Sequence, residues 1–346
     1  MPQKLKNAFK YIIMIAITGV LLWLSFQNIE VSEGETKMGY LNRVWATAHV
    51  PFLFMSAFMA LLSHLIRAQR WKLLLNPLGH SFTLAEGFLS VMIGYFINLA
   101  IPRGGEVSRC INLYRLTKTP VDISLGTVVA ERVIDLIFLI ILIAASFFIE
   151  LDNLIMFFQS EEVQALRNQG GEKKSYTMFI VAGVIFILSL YGIFRFLVVR
   201  RRYVMLRLLV KSRLALIGIK DGVKSILKLE KRILFIVYSL LIWICYYLMM
   251  YFVMLAFQET ENLGIGAALT IFVIGGIAMA MPLPGGAGSF HVLVSTGLVL
   301  LYGLAQDKAV AFTFIFHGWQ TLVIIVVGAL SLVISQIMRS KIVNNS

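Results

Sequence analysis

The chain has 346 residues, of which 59% are hydrophobic and only 14% are charged, and its mean hydropathy is +0.85. A soluble protein of this length would carry far more charge, so the composition excludes that class and predicts an integral membrane protein. The net charge of +13 does not indicate nucleic-acid binding, because the basic residues lie next to apolar runs, as the positive-inside rule expects.

Six apolar runs are long enough to predict transmembrane helices, since a span needs about 20 residues. In chain order they are 11–26, 50–66, 121–149, 176–194, 233–257 and 309–337. Lys4, Lys6 and Lys10 precede the first run, but no small-residue cleavage site follows it. We therefore expect an uncleaved first span rather than a signal peptide.

The charged segments between the runs predict their orientation. Residues 195–232 contain twelve lysines and arginines against Asp221 and Glu230, which predicts a basic cytoplasmic connector. Its amphipathic part, 200–228, is expected to lie on the inner leaflet and bind anionic lipid. The acidic segments 27–47 and 150–174 are expected outside. These signs predict a multi-pass protein of the cytoplasmic membrane with both termini in the cytoplasm.

Two breaks interrupt the apolar sequence. The first reads Ile101-Pro102-Arg103-Gly104-Gly105-Glu106, and the second reads Pro282-Leu283-Pro284-Gly285-Gly286-Ala287-Gly288. Proline removes a helix donor and glycine loosens the backbone, so each break is expected to form the turn of a helical hairpin, within 82–118 and 263–308. The arm after the first break is too short to cross the bilayer, which predicts a re-entrant hairpin. The second hairpin is either re-entrant or two further spans.

The order span, span, hairpin, span occurs twice, in the halves 8–150 and 175–338, and the charges give the halves opposite orientations. The predicted fold is an all-α polytopic membrane domain with an inverted repeat, the usual basis of alternating access. Paired broken segments in corresponding halves also predict where the substrate binds, because irregular backbone survives at membrane depth only in contact with protein or a watery cavity.

Three charged residues, Glu131, Arg132 and Asp135, lie near the middle of the predicted helix 121–149. Each would cost about 2.5–3.5 kcal/mol at the bilayer centre, so they must face the protein interior and pair. Arg132 is expected to bridge to Asp135, leaving Glu131 for Arg103 or Arg109. Two interpretations of these three residues stay open. The first is a functional site, either a charge relay or a binding site for a lipid headgroup, and the second is a salt-bridge cluster that fixes the packing of the helices.

Arg103 lies at the first turn, where Gly104 and Gly105 open the next helix. A helix N-terminus attracts anions and arginine binds phosphate through two hydrogen bonds, so this turn suits a phosphate group. The alternative is that Arg103 simply pairs with Glu106, which also stabilises the helix start.

The second half offers a different set of polar groups. Pro284, Gly285, Gly286 and Gly288 would let the second hairpin flex or approach a headgroup. Further candidates are His291, His317 and Gln320 in the second half, together with Tyr95 and Asn98 before the first break. His317 could carry protons, or it could only hydrogen-bond inside a polar core.

A basic cluster near residue 70 has a separate interpretation. Arg67, Arg70, Trp71 and Lys72 are expected to form an interfacial anchor at a cytoplasmic helix end.

No motif for a metal or cofactor is present. Cys110 and Cys245 have neither disulfide nor metal spacing, and no phosphate-binding loop, nucleotide fingerprint or serine-hydrolase elbow occurs. We expect no cofactor and no enzymatic activity.

Four segments together resemble the membrane region of the lysylphosphatidylglycerol synthases. They are Arg70-Trp71-Lys72, Pro102-Arg103-Gly104-Gly105-Glu106-Val107 with Arg109, Val129-Ala130-Glu131-Arg132-Val133-Ile134-Asp135, and Pro284-Gly285-Gly286-Ala287-Gly288. In the two-domain synthases this region acts as a flippase for aminoacylated phosphatidylglycerol, which a soluble domain makes. Because the present sequence holds no such domain, the resemblance implies lipid translocation without aminoacyl transfer.

The leading hypothesis is a flippase-like transporter for a phospholipid or lipid-linked headgroup, with anionic or aminoacylated phospholipids as its partners. An accessory protein that scaffolds lipid or glycolipid synthesis enzymes is the alternative, and a membrane-embedded lipid transferase is a third class. Transport requires Arg103 and Glu131, whereas a scaffold requires loop surfaces such as 200–228.

Overall fold

A computed structural model describes residues 3–27, 29, 31, 34–151 and 229–344. The predicted span 176–194 and nearly all of the basic connector lie outside these residues. Helices are numbered over the described part of the chain. They are α1 (Gln3–Gln27), α2 (Lys37–Ala46), α3 (Val50–Leu75), α4 (Leu84–Ala100), α5 (Gly105–Thr117), α6 (Val121–Ile149), α7 (Arg232–Leu255), α8 (Gly264–Ala280), α9 (Ser289–Tyr302) and α10 (Gln306–Asn344).

The all-α polytopic fold is confirmed. Among the described residues, six helical segments are long and apolar enough to cross a membrane: Val50–Leu78, Val121–Ile149, Arg232–Leu255, Glu261–Ala280, Pro284–Tyr302 and Gln306–Lys341. Four of them correspond to predicted spans, although the one predicted as 233–257 ends at Leu255, and the other two are the arms of the second hairpin. The first predicted span lies within α1, whose apolar part is shorter.

The first hairpin consists of α4 and α5. Helix α4 begins with a capping box, in which the Thr83 and Glu86 side chains each accept a hydrogen bond from the other residue's backbone N–H. It ends at Ala100, and Ile101 is the C-cap before Pro102. The two arms then approach closely. A Cβ atom added to Gly105 would lie 2.1 Å from the carbonyl oxygen of Gly94, so only glycine permits this approach.

Replacing Gly105 with alanine should therefore destabilise the hairpin strongly, because the backbone of α4 cannot move aside. We expect a lower thermal transition temperature in detergent, measured by intrinsic fluorescence. Gly126→Ala is the matched control, since an added Cβ there meets nothing within 4 Å and alanine favours a helix by about 1 kcal/mol. Equal transitions for the two variants would contradict the proposed packing.

The second hairpin consists of α8 and α9, joined by a turn in which Gly285, Gly286 and Gly288 all have positive φ. The Gly285 carbonyl oxygen lies 3.1 Å from His317 Nε2. His317 is eleven residues into α10, and α10 begins directly after α9, so the turn reaches only about 16 Å along α10. Both arms are long and apolar enough to cross a membrane, so the re-entrant and the fully spanning alternatives both stay predictions.

The helices of the two predicted halves pack reciprocally. Helix α3 packs against α7, which is its counterpart in the second half. Helix α4 packs against α10, and α8 packs against α6 in the same way. This reciprocity is what a two-fold repeat requires, while the opposite orientation of the halves in the membrane stays a prediction.

Candidate functional site

A cavity of about 790 Å³ lies where the turns of both hairpins meet α3, α6, α7 and α10. The turn of the second hairpin contacts the end of the first, since a Cβ atom added to Gly285 would lie 3.1 Å from Leu99 Cδ2. Most of the wall is apolar. The lining residues with polar side-chain atoms are Ser56, His64, Arg67, Tyr95, Asn98, Arg103, Glu106, Arg132, Asp135, Trp243, Tyr246, His317, Trp319, Gln320 and Thr321.

An ion-pair network lies behind one wall of the cavity, and Glu131 is at its centre. The Glu131 carboxylate accepts hydrogen bonds from Arg109 and, at 3.4 Å, from Arg70. All three side chains are almost completely buried. The Arg109 guanidinium also lies 4.3 Å from the ring centre of Trp71, which fixes its plane by a cation–π contact. Glu131 therefore serves to compensate buried cations rather than to contact the cavity.

Asp135 connects this network to the cavity. Its carboxylate lies 3.0 Å from Arg67 and 2.8 Å from Arg70, on the neighbouring helix α3. Arg67 in turn donates to the Tyr246 hydroxyl at 3.1 Å, and that hydroxyl is 3.1 Å from the hydroxyl of Tyr95. The chain of contacts holds α3, α4, α6 and α7 together around the same polar centre.

Arg132 lies on the cavity side of the network and remains accessible, with 45% of its side chain exposed. It pairs with Glu106 at 3.1 Å and only weakly with Asp135, at 3.8 Å. Since Glu106 belongs to the first hairpin and Arg132 to α6, this ion pair joins the hairpin to the wall of the cavity.

Arg103 has no hydrogen-bond or ion-pair partner in the described part of the chain, although it lines the cavity. Its φ is +60°, a conformation that costs a non-glycine residue of order 1 kcal/mol and is usual for glycine. An arginine held in such a backbone conformation beside a cavity suggests a role for its side chain.

The site is positively charged within the described residues. Four arginines, at 67, 70, 109 and 132, face three carboxylates, at 106, 131 and 135, and Arg103 adds a further cation. Inside a low-dielectric wall this excess attracts an anion much more strongly than it would in water.

Many of the predicted site residues do meet at the cavity. Those that line it are Asn98, Arg103, Glu106, Arg132, Asp135, Gly285, Gly286, His317 and Gln320, and Tyr95 joins them. The residues that do not line it are Gly104, Gly105, Arg109, Glu131, Pro284, Gly288 and His291.

The prediction that the Gly104 and Gly105 amides hold a phosphate is wrong. The Gly104 amide donates to the Ile101 carbonyl at 2.9 Å, and the Gly105 amide donates to the Asn98 side chain at 2.8 Å. Both donors are therefore used within the hairpin. Asn98 has a structural role that caps α5, in addition to its place on the cavity wall.

The alternative in which Arg103 pairs with Glu106 is also wrong, since the partner of Glu106 is Arg132. Of the two partners considered for Glu131, the structure selects Arg109. The bridge from Arg132 to Asp135 is present but longer than its contact with Glu106.

The interpretation of the cluster near residue 70 as an interfacial anchor is wrong. Arg67 and Arg70 are buried ion-pair partners of Asp135 and Glu131, and Trp71 is fully buried. The sequence does contain a signal for these partners, because two buried carboxylates on α6 need cations to compensate their charge. Arg67 and Arg70 are three residues apart and share one face of α3.

The second half contributes neutral polar groups. His317 holds the Gly285 carbonyl, and the His291 ring lies 4.8 Å from the His317 ring without reaching the cavity. Trp319 donates to the Ser56 hydroxyl and to the Leu53 carbonyl, which ties α10 to α3. The Gln320 amide nitrogen, a donor, has no partner in the described part of the structure.

Two broken hairpins that enclose a charged cavity within a bundle of apolar helices define a multi-pass membrane protein of the broken-helix type. The chain belongs to the family described as lysylphosphatidylglycerol synthase TM region, whose model matches residues 11–328. It is also similar to a UPF0104 membrane protein of Methanocaldococcus jannaschii, with 30% identity over 126 residues, which are 36% of this chain and 38% of that relative. The match thus covers well under half of the relative's length. No solved structure matches the chain.

Proposed function

We propose that this protein translocates a phospholipid or a lipid-linked headgroup across the cytoplasmic membrane. The observation that carries the proposal is the cavity between the two hairpin turns. Among the described residues it contains more cations than carboxylates, and its Arg103 side chain has no ion-pair partner there. A lipid phosphate is the anion that a membrane supplies at high concentration. The family assignment agrees with a role at the membrane and leaves the substrate open.

In this proposal Arg103 and Arg132 bind the headgroup phosphate, since a guanidinium forms two parallel hydrogen bonds to phosphate oxygens. Glu106 competes with the phosphate for Arg132, so that headgroup entry would break the ion pair between hairpin and wall. The two hairpin turns then move apart, and the cavity opens to one side of the membrane at a time. The protein makes no covalent change to the lipid, and both termini lie in the cytoplasm.

Replacing Arg103 with alanine should abolish most of the transport while leaving the fold intact, because the side chain stabilises nothing else in the described structure. The assay follows the exposure of acyl-labelled phospholipid in proteoliposomes of purified protein, with dithionite as the quencher. Removing one charge-assisted hydrogen-bond pair, worth about 1.5–3 kcal/mol, should slow flux roughly tenfold to a hundredfold.

Arg115→Ala is the matched control, because Arg115 is exposed at the end of the same hairpin and does not line the cavity. Wild-type flux in Arg103→Ala, with unchanged incorporation into vesicles, would refute the headgroup role of Arg103. Absence of flux for the wild-type protein with every lipid tested would refute the proposed function.

A further inference from the structure

The charged side chains that line the cavity, within the described part of the chain, all come from its first half. The lining residues of the second half, from α7 to α10, include no aspartate, glutamate, lysine or arginine. Because the helices of the two halves pack reciprocally, this is a difference in charge between equivalent walls of one cavity. The charged lining residues are Arg67, Arg103, Glu106, Arg132 and Asp135.

Position along equivalent helices identifies the counterparts of the two charges on α6. Arg132 is eleven residues after the first residue of α6, and His317 is eleven residues after the first residue of α10. Asp135 and Gln320 are each fourteen residues after the same starts. Both counterparts line the cavity. Each charged lining residue of α6 therefore has an uncharged partner at the same level of α10.

The same register holds for two other pairs of helices. Arg67 and Met249 are each seventeen residues after the first residues of α3 and α7. Glu106 and Phe290 each directly follow the first residues of α5 and α9. Met249 and Phe290 line the cavity as well. The two halves thus contribute equivalent positions to the wall, with charged side chains in the first half and uncharged ones in the second.

The two turns give the fifth pair, and here hydrogen bonds define the equivalence. Each turn is closed by a bond from the amide of its fourth residue to the carbonyl of its first, at 2.9 Å in 101–104 and 3.1 Å in 283–286. In each, the second residue is proline and the third has a positive φ, +60° at Arg103 and +56° at Gly285. Glycine is the usual residue at this third position. Arg103 is therefore the charged counterpart of Gly285.

This asymmetry determines how a ligand can lie in the cavity. If the two walls of a repeat were alike, a ligand between them could bind equally well in two opposite orientations. With formal charges on one wall only, an anionic group gains Coulomb energy against the first half and none against Met249 or Phe290. Those two side chains favour the apolar part of the ligand instead.

We infer that the first half alone binds the charged group of the ligand, and that position 285 is a specificity-determining position of the opposite wall. Gly285 lines the cavity, and a Cβ atom added to it would lie 3.1 Å from Leu99 Cδ2 of the first hairpin. A side chain at 285 would therefore face the turn that carries Arg103, and glycine keeps that place uncharged. This inference rests on the proposed function for the ligand class, an anionic amphiphile.

The first test measures binding without transport. Purified protein in dodecyl maltoside micelles is titrated with dodecyl phosphate or with dodecyltrimethylammonium, and binding is followed by the thermal transition. We expect the phosphate to raise the transition and the ammonium to leave it unchanged. Arg103→Gly should weaken phosphate binding about tenfold or more, the effect of losing charge-assisted hydrogen bonds. Its transition without ligand should be no lower than that of the wild type, because glycine suits a positive φ.

Moving the charge to the counterpart position is the decisive variant. In Arg103→Gly, Gly285→Arg the affinity for dodecyl phosphate should return to within about threefold of the wild type, because the guanidinium again faces the cavity. The matched control is Arg103→Gly, Gly126→Arg, which has the same net charge. Gly126 does not line the cavity, and a Cβ atom added to it meets nothing within 4 Å. This control should bind as weakly as Arg103→Gly.

A second pair of variants keeps the test open if arginine at 285 prevents folding. Asparagine and aspartate are the side chains that best tolerate a positive φ, and they differ mainly in charge. Gly285→Asp should bind dodecyl phosphate about tenfold more weakly than Gly285→Asn, because its carboxylate competes for Arg103 and repels the anion. Equal affinities in these two folded variants would overturn the role of position 285.

Two further results would contradict the inference. They are wild-type affinity in Arg103→Gly, and a folded Arg103→Gly, Gly285→Arg protein that binds no better than Arg103→Gly. Flux of acyl-labelled phospholipid in proteoliposomes of the wild type separates this inference from the proposed function. If binding follows the charges as expected and no lipid moves, the one-sided site stands and translocation is wrong. If lipid moves while binding is independent of positions 103 and 285, translocation stands and the one-sided site is wrong.

Discussion

Replacing Glu131 with glutamine should lower the free energy of unfolding by about 3–5 kcal/mol, the cost of removing one partner from a buried ion pair. Glu131 is only 1% exposed, and it is the carboxylate that Arg109 and Arg70 share. With glutamine in its place, these guanidiniums keep their charges and lose a compensating anion in a low-dielectric interior. We expect poor accumulation in membranes and a clearly lower thermal transition in detergent.

A double variant distinguishes charge compensation from packing. Changing Arg109 to glutamine as well as Glu131 removes one charge of each sign, so the transition should recover in part. The control is the pair Glu35–Arg43, at 2.8 Å, which joins the segment before α2 to an Arg43 side chain that is 61% exposed, and whose removal should shift nothing measurable. A Glu131→Gln protein that melts like wild type would show that the network contributes little stability.

This prediction also bears on the two interpretations that the sequence left open for Glu131, Arg132 and Asp135. Only Arg132 and Asp135 reach the cavity, whereas Glu131 lies behind them among arginines. Loss of Glu131 should therefore reduce flux in proportion to the loss of folded protein. Loss of Arg132 should reduce flux in protein that remains folded. The same short motif thus combines a structural carboxylate with a ligand-facing arginine.

The hairpins and their meeting point could be predicted from sequence, because proline and glycine act on the backbone locally. The breaks at Pro102 and Pro284 predict the positions of the two turns. The helical periodicity of 121–149 predicts that Glu131 and Asp135 share one face of α6. The pairing of those charges depends on which helix lies opposite, and that is set by packing between segments far apart in the chain. The local pattern around Arg67 therefore indicates an interfacial anchor, although Arg67 pairs with Asp135, sixty-eight residues away.

Backbone N–H groups at helix starts also depend on tertiary contacts. A glycine at a helix start has a free N–H by default, and this made Gly104 and Gly105 candidates for phosphate binding. The sequence could not show that Asn98, seven residues earlier, returns to cap Gly105. The position of a helix end determines how many backbone N–H groups lack an acceptor within the helix. Tertiary contacts determine whether a ligand or a side chain accepts their hydrogen bonds.

Locking the two turns together should stop transport completely and reversibly. A Cβ atom added to Gly285 would lie 3.8 Å from the Leu99 Cα atom, so cysteines at 99 and 285 would be neighbours in which a disulfide can be tested, at a cost in backbone strain because Gly285 has a φ of +56°. Alternating access around this cavity requires the two hairpins to move apart, so the oxidised Leu99→Cys, Gly285→Cys protein should show no flux. Reduction should restore it.

The measurement is lipid exposure in proteoliposomes before and after oxidation, in a chain whose buried Cys110 and Cys245 have been changed to alanine. Mass spectrometry establishes the extent of crosslinking, and the two single-cysteine chains under the same oxidant control for damage. Because the reduced and oxidised forms are the same folded molecule, a loss of flux reports restricted motion and not misfolding. Undiminished flux at complete crosslinking would mean that the lipid crosses by a route that does not pass between the turns. The cationic cavity would then need another role.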